Sequence, residues 1–163
     1  MDCNITPNHP ITPYRQKDCE RALMGRMQRT KGMVAEREAA ALICEHTGWH
    51  VRRRVRNAAG DSDLVGAPGW SVEVKRYAYA TRAEIAVWWA QCVKQAKWDV
   101  PVLFYRLDRG TWRAVWPLAV NLRLQHADHW ESYEWTVEGA VGAWALVARE
   151  IQFEKMEAAC ERF

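Results

Sequence analysis

Apolar residues recur at three- and four-residue steps in two stretches of the chain and alternate with polar ones in several others. From Met33 to His46 the chain is rich in Ala and Glu, and Gly48 follows as a stop. Glu36, Ala39, Ala40 and Ile43 fall on one face there, because residues three and four apart stack in a helix. Glu38 and Glu45 point elsewhere and are expected in solvent. A second helix is predicted from Thr81, where Thr81-Arg-Ala-Glu84 matches a capping box. Its core stripe is Ile85, Trp88, Trp89, Cys92, Val93 and Ala96, with Gln91, Lys94 and Gln95 on an adjacent polar face.

Three short strands are predicted between these helices, over about 49–56, 62–66 and 70–76. Ala67-Pro68-Gly69 joins the last two as a three-residue hairpin loop ending in Gly. That loop sets Gly66 opposite Trp70 and Asp63 opposite Glu73. Side chains alternate along a strand, so Glu73 and Lys75 share one face and Val72 and Val74 the other. Past the second helix, Pro101 opens a strand over Val102 to Arg106, and Arg109-Gly110 turns it into another over Trp112 to Trp116. A weaker strand near Tyr133 to Val137 and a helix from about Glu138 to Glu150 or beyond complete the pattern.

The predicted class is thus α/β of the α+β kind: helix, three strands, helix, two strands and a C-terminal addition. Residues 1–30 read as a basic arm or helix: Pro7, Pro10 and Pro13 make the first dozen irregular, and Gly25 weakens a helix over about 15–30. Residues 31–117 form the core, and 118–163 are an extension packed on the same domain and ending in a helix.

Composition adds bounds. With 163 residues, 49% apolar and 26% charged, the chain suits one globular domain. No apolar run reaches the ~18 residues of a membrane span, and the N-terminus has no secretory pattern, so no membrane partner and a cytoplasmic setting are expected. Five scattered cysteines without a C-x-x-C pair argue against disulfides or a zinc ribbon. Cys44, His46 and His50 read as a helix end rather than a metal site, and His126 and His129 likewise. The net charge is only +3, but Arg15 to Lys31 and Arg52 to Arg56 are basic clusters while the C-terminus is acidic, which suits a polyanionic partner. Of ten tryptophans, Trp88, Trp89, Trp98, Trp112, Trp116 and Trp144 are expected in the core. Trp49, Trp70 and Trp130 lie near turns, where core or rim packing is favoured over stacking on bases.

A lone Glu-x-Lys carries little information. Here Asp63 faces it across a hairpin, valines bury the other side of its strand, and Glu36 comes from the helix that must pack on this sheet. Gathered carboxylates repel one another unless a cation joins them. Mg²⁺ takes one or two carboxylates with water and phosphate oxygens and acidifies bound water. Lys75, on the same face, can orient that water and balance charge on a phosphate. The plain alternative is a surface salt bridge of Lys75 with Glu73 or Asp63.

Three segments together, Lys31-Gly32-Met-Val-Ala-Glu36-Arg37-Glu38, Gly60-Asp61-Ser62-Asp63-Leu64 and Val72-Glu73-Val74-Lys75-Arg76, resemble the archaeal Holliday junction resolvases and related phage nucleases of the PD-(D/E)xK superfamily. The resemblance spans about residues 31–117. The Pro-Gly-Trp hairpin, the tryptophan-rich helix and the Tyr105-Arg106 strand look like small phage and prophage resolvase-like nucleases. It implies a restriction-endonuclease-like αβββαβ core with a mixed central sheet flanked by helices. It also implies metal ligands Asp63, Glu73 and the carbonyl of Val74, with catalytic help from Glu36, Lys75 and Gln91, and a similar place for Gln95. The usual Pro before the motif Asp is Ser62 here, which leaves Asp61 as a rival to Asp63.

The expectation that follows is a Mg²⁺-dependent endodeoxyribonuclease, with Mn²⁺ able to substitute, acting as a homodimer on branched recombination intermediates in a phage or prophage setting. Lys31, Arg37, Arg52, Arg53, Arg54, Arg56 and Arg76 would hold the DNA backbone. Alternatives are a restriction-like or repair nuclease, a non-catalytic DNA-binding module on the same fold, and a protein-interaction domain.

Overall fold

Residues Pro13–Thr47 form one continuous helix, α1, in the computed structural model, which describes residues 13–55, 61–124 and 130–161, with side chains from residue 23. The irregular arm expected over the first dozen residues lies outside the described residues. The two helical stretches foreseen separately are fused: Gly25 costs a helix interior roughly 1 kcal/mol, which lowers its stability without breaking it. Within α1 the chain divides into two units, Met1–Lys31 and Gly32–Phe163. In the first, Leu23, Met24 and Met27 are exposed. All that follows concerns the second.

Gly32 to Thr47 bury Ala35, Ala39, Ala40 and Ile43, the face read from the spacing together with Ala35. Gly48 ends the helix at φ +75°, its N–H donating to the Cys44 carbonyl at 2.9 Å. Two short strands follow, β1 (Arg52–Arg53) and β2 (Leu64–Val65), paired antiparallel with Arg52 opposite Val65. They are much shorter than the strands predicted over 49–56 and 62–66. Side chains take over part of the ladder: Cys44 Sγ engages both N–H and carbonyl of Val51 at 3.3 Å, and Arg54 Nε donates to the Ser62 carbonyl at 3.0 Å.

The main sheet has the order β3-β4-β5-β6, from β3 (Trp70–Tyr77), β4 (Val100–Leu107), β5 (Arg113–Pro117) and β6 (Thr136–Ala140). β3 and β4 are parallel, joined by the crossover helix α2 (Arg82–Ala96), and the other pairs are antiparallel. The capping box at Thr81 and Glu84 is formed. A short helix α3 (Leu118–Asn121), which the periodicity did not indicate, leads toward a 3₁₀ turn at Tyr133–Trp135, and α4 (Val141–Cys160) closes the chain. The last strand therefore begins at Thr136 and not near Tyr133. The described residues thus form a mixed α+β fold with four helices, a mixed four-stranded sheet and a two-stranded ladder.

Each face of the sheet has its own core. On one, Val72, Val74, Val102 and Phe104 pack with Ala39 and Ile43 of α1 and with Trp144, Ala145 and Ala148 of α4. On the other, Leu103, Tyr105 and Val115 pack with Ile85, Trp88, Trp89 and Cys92 of α2. Trp112 and Trp116 are buried as expected, but Trp98 is not: it is fully exposed, just past the end of α2. No helix among the described residues is long and apolar enough to cross a membrane.

Candidate active site

Strand β3 carries two kinds of side chain because it divides two cores. Val72 and Val74 point toward α1 and α4. Glu73 and Lys75 point toward α2, as the alternation requires. Glu73 is nearly fully buried, an unusual place for a carboxylate. Its Oε1 accepts from Lys75 Nζ at 2.6 Å and from Gln91 Nε2 of α2 at 3.0 Å. Its Oε2 is buried and has no hydrogen-bond partner among the described residues.

Asp63 reaches the same point from the other side of the hairpin. Its N–H donates to the Val72 carbonyl at 3.0 Å, and its Oδ2 accepts from the Val74 N–H at 2.8 Å. The main-chain bond to Val72 sets Asp63 one residue off the position opposite Glu73 that the loop length predicts, yet its side chain, by accepting the Val74 N–H, still comes against Glu73. Burial first, and the charge of Glu73 second, push the Asp63 carboxyl up to about 7; the Val74 N–H and the Lys75 ammonium oppose the rise. The N–H and C=O of a strand residue open on the same edge, so the Val74 carbonyl lies on the edge that Asp63 occupies.

Glu36 joins from α1. Arg53 Nε donates to its Oε2, and burial raises its carboxyl, helped by the charge of Asp63 and countered by Arg53. The rival carboxylate Asp61 is engaged elsewhere, 3.2 Å from Lys97 Nζ and 3.9 Å from Arg54. Gln95, one turn after Gln91, buries an Oε1 that makes no hydrogen bond among the described residues.

The basic residues separate into groups. Arg37 and Arg52 project into solvent. Arg53 is held by Glu36, and Arg54 wraps Ser62. Arg76 lies on the sheet face opposite Lys75 and, with Arg106, pairs with Glu38 at 3.5 and 3.0 Å. Glu38, expected in solvent, is thus clamped between two arginines. Lys31 belongs to the first unit, and Arg56 lies outside the described residues. Cys44, read as part of a helix end, serves the backbone of Val51; His126 and His129 lie outside the described residues. The part of Arg53 in holding Glu36 was not foreseen, although alternation from exposed Arg52 would have turned it inward.

Among the described residues no three His, Cys, Asp or Glu side chains are arranged as a metal cage. Two carboxylates and a carbonyl remain. Asp63 and Glu73 stand against each other with the Asp63 carboxyl pushed up to about 7, so a proton can join the pair, and a hard divalent cation with one or two protein carboxylates fits the same donor set. Comparison with protein-family models, with curated proteins and with solved structures finds no match to this chain.

Proposed function

We propose that the chain is a metal-dependent DNA endonuclease of the PD-(D/E)xK type. The observation that carries this reading is the convergence of Asp63 and Glu73, with Lys75 and Gln91 both donating to one Glu73 oxygen while the other stays unpaired. A surface salt bridge does not account for it, because Glu73 is buried and Asp63 is pressed against it.

Asp63, Glu73 and the Val74 carbonyl would hold Mg²⁺, or Mn²⁺ in its place. Such an ion supplies positive charge at a phosphate and acidifies water. The side chains do the rest. Gln91 fixes Glu73 so that Oε2 remains available, and the Val74 N–H fixes Asp63. Lys75, largely buried beside Glu73, would hold a water and balance charge growing on phosphate oxygens. One preorganised donor of this kind is worth about a hundredfold or more in rate. Glu36, kept in place by Arg53, stands by Asp63 as a third carboxylate. Arg37 and Arg52 would contact the DNA backbone, with Lys31, Arg53, Arg54, Arg56 and Arg76 as further contributors, and binding should weaken with salt. The substrate favoured is a branched recombination intermediate, cut by a two-fold dimer whose symmetry matches it.

The test is cleavage of a labelled four-way junction and of a linear duplex of the same sequence, in Mg²⁺ or EDTA, by wild type and Lys75→Ala. Cutting of the junction alone, dependent on metal and Lys75, supports the full proposal. Cutting of both removes junction selectivity, and cutting of neither sinks the nuclease reading.

A further inference from the structure

A cleft of about 670 Å³ opens where β3 and β4 begin and α2 and α4 end, and its chemistry differs from that of the carboxylate site. Three tryptophans line it: Trp70, which is buried, and Trp98 and Trp130. Three cations accompany them, Lys97, Arg123 and Lys155. Two acids are also present, Asp99 and Glu154; Arg123 pairs with Glu154 and Lys97 with Asp61, which leaves Lys155 as the lining cation without an ion pair among the described residues. The lining is therefore mainly aromatic, with one lysine at its edge.

Trp98 is the telling residue. Its side chain is 100% exposed, although an indole can bury roughly 150–250 Å². Lys97 before it adopts φ +55°, a conformation that side-chain-bearing residues rarely take, and that turn carries Trp98 out of the α2 stripe. A strained backbone that presents an indole to solvent beside a cleft is arranged for something that stacks. Indole faces stack on any nucleobase, and ammonium groups neutralise the flanking phosphates.

The cleft also has a physical link to the carboxylates. Lys97 Nζ bonds Asp61, two residues before Asp63.

We propose that this cleft receives an unpaired base of the DNA strand whose phosphodiester lies at Asp63 and Glu73, with Trp98 stacking on the base and Lys155 facing the flanking phosphate. The placement of the phosphodiester rests on the nuclease reading, whereas affinity of the cleft for single strand does not. It makes DNA with unpaired bases near the cut, such as a junction centre or a flap, the preferred substrate class.

Binding in EDTA keeps the test apart from catalysis. Anisotropy of a labelled oligothymidylate of about 12 nucleotides, and of a duplex of equal length, is measured with the full chain, Trp98→Ala and Lys155→Ala. Trp98→Ala, at a solvent-facing position, should melt like wild type and bind the single strand about tenfold more weakly. Lys155→Ala should lose a few-fold, more at low salt, and duplex affinity should stay within about twofold. Unchanged single-strand binding by Trp98→Ala, or an equal loss on duplex, overturns the proposal. So does a Trp98→Ala that turns a dimer into a monomer with single-strand affinity intact, which would assign the cleft to a second copy. A wild type that cuts the junction in Mg²⁺ while Trp98→Ala binds normally keeps the nuclease and loses the cleft. Trp98-dependent binding without any cutting does the reverse.

Discussion

The Asp63 carboxylate accepts the Val74 N–H at 2.8 Å, a bond that a backbone carbonyl would take if β2 ran further along β3. The side chain thus replaces the ladder where the ladder ends, and this substitution sets Asp63 against Glu73. Shortness of β2 and placement of the carboxylate have one cause. The pair of acids is held by main-chain geometry, so it should keep its shape with no cation present, at a cost that depends on pH.

That cost can be measured. Asp63 is held near 7 when folded, against 3.8 for an ordinary aspartate. Between those values the folded protein keeps a proton that the unfolded chain has lost, so this group's contribution to stability falls as pH rises through the window and levels off above about 7. Glu36, also raised by burial, slopes the same way. Thermal melts in EDTA should therefore show Asp63→Asn gaining on wild type from pH 5 to pH 8. Mg²⁺ added at pH 8 should raise the wild-type Tm and leave Asp63→Asn unmoved. Parallel melting curves for the two proteins would refute the assignment.

Lys75 has two separable roles. Removing it takes one of two donors from a buried carboxylate, so Lys75→Ala should lower stability by roughly 2 kcal/mol in urea unfolding. Its DNA affinity should stay within about twofold, because binding draws on many cations, while cleavage drops a hundredfold or more. An equal loss of binding and cleavage would make Lys75 a backbone contact instead.

Gly66 and Gly48 both sit at positive φ, yet they should respond differently. A Cβ on Gly66 would lie 2.2 Å from the His50 carbonyl oxygen, whereas one on Gly48 meets nothing within 4 Å. Gly48→Ala should cost about 1–2 kcal/mol from backbone strain alone. Gly66→Ala should cost on the order of 3 kcal/mol or more, because the His50–Val51 backbone must shift. Equal losses in chemical denaturation would contradict the close approach of the two segments.

Much of this arrangement can be read from the chain because local rules and tertiary packing agree. The capping box at Thr81, the α2 stripe and the alternation of Val72, Glu73, Val74 and Lys75 each follow from spacing, whereas the hairpin brings Asp63 near Glu73 with its backbone one residue off the predicted register. Where they disagree, the reading fails for a physical reason. Trp98 continues an apolar helix pattern, but Lys97 leaves the helical region one residue earlier and sends it into solvent. Glu38 looks solvated from its own helix, and only the parallel register of Arg76 with Arg106 brings two arginines to it. Strands β1 and β2 shrink because Cys44, Arg54 and Asp63 side chains take backbone partners, which no periodicity records.

Trp144 tests how far α4 belongs to the core. It is completely buried, with ring centroids 5.0 Å from Phe104, 5.3 Å from Trp70 and 6.3 Å from Trp49, each edge to face. Trp144→Ala should cost about 3–5 kcal/mol, as for other large core aromatics. The indole N–H makes no hydrogen bond among the described residues, so Trp144→Phe should lose well under half of that. Equal and small effects, read by urea titration, would mean that α4 packs loosely.

The edge strand β6 and the tryptophan at the centre of the larger core both come from the last third of the chain, after every residue of the carboxylate site has been made. A ribosome that has released residue 117 has therefore delivered every residue of the carboxylate site and only three of the four strands of the sheet. Until Thr136 to Ala140 arrive, β5 offers its open edge to any passing strand, and Phe104 lacks its aromatic neighbour. The carboxylate site thus gains its full support only when β6 and α4 have been made, and a chain cut short before them exposes an open strand edge and an incomplete core.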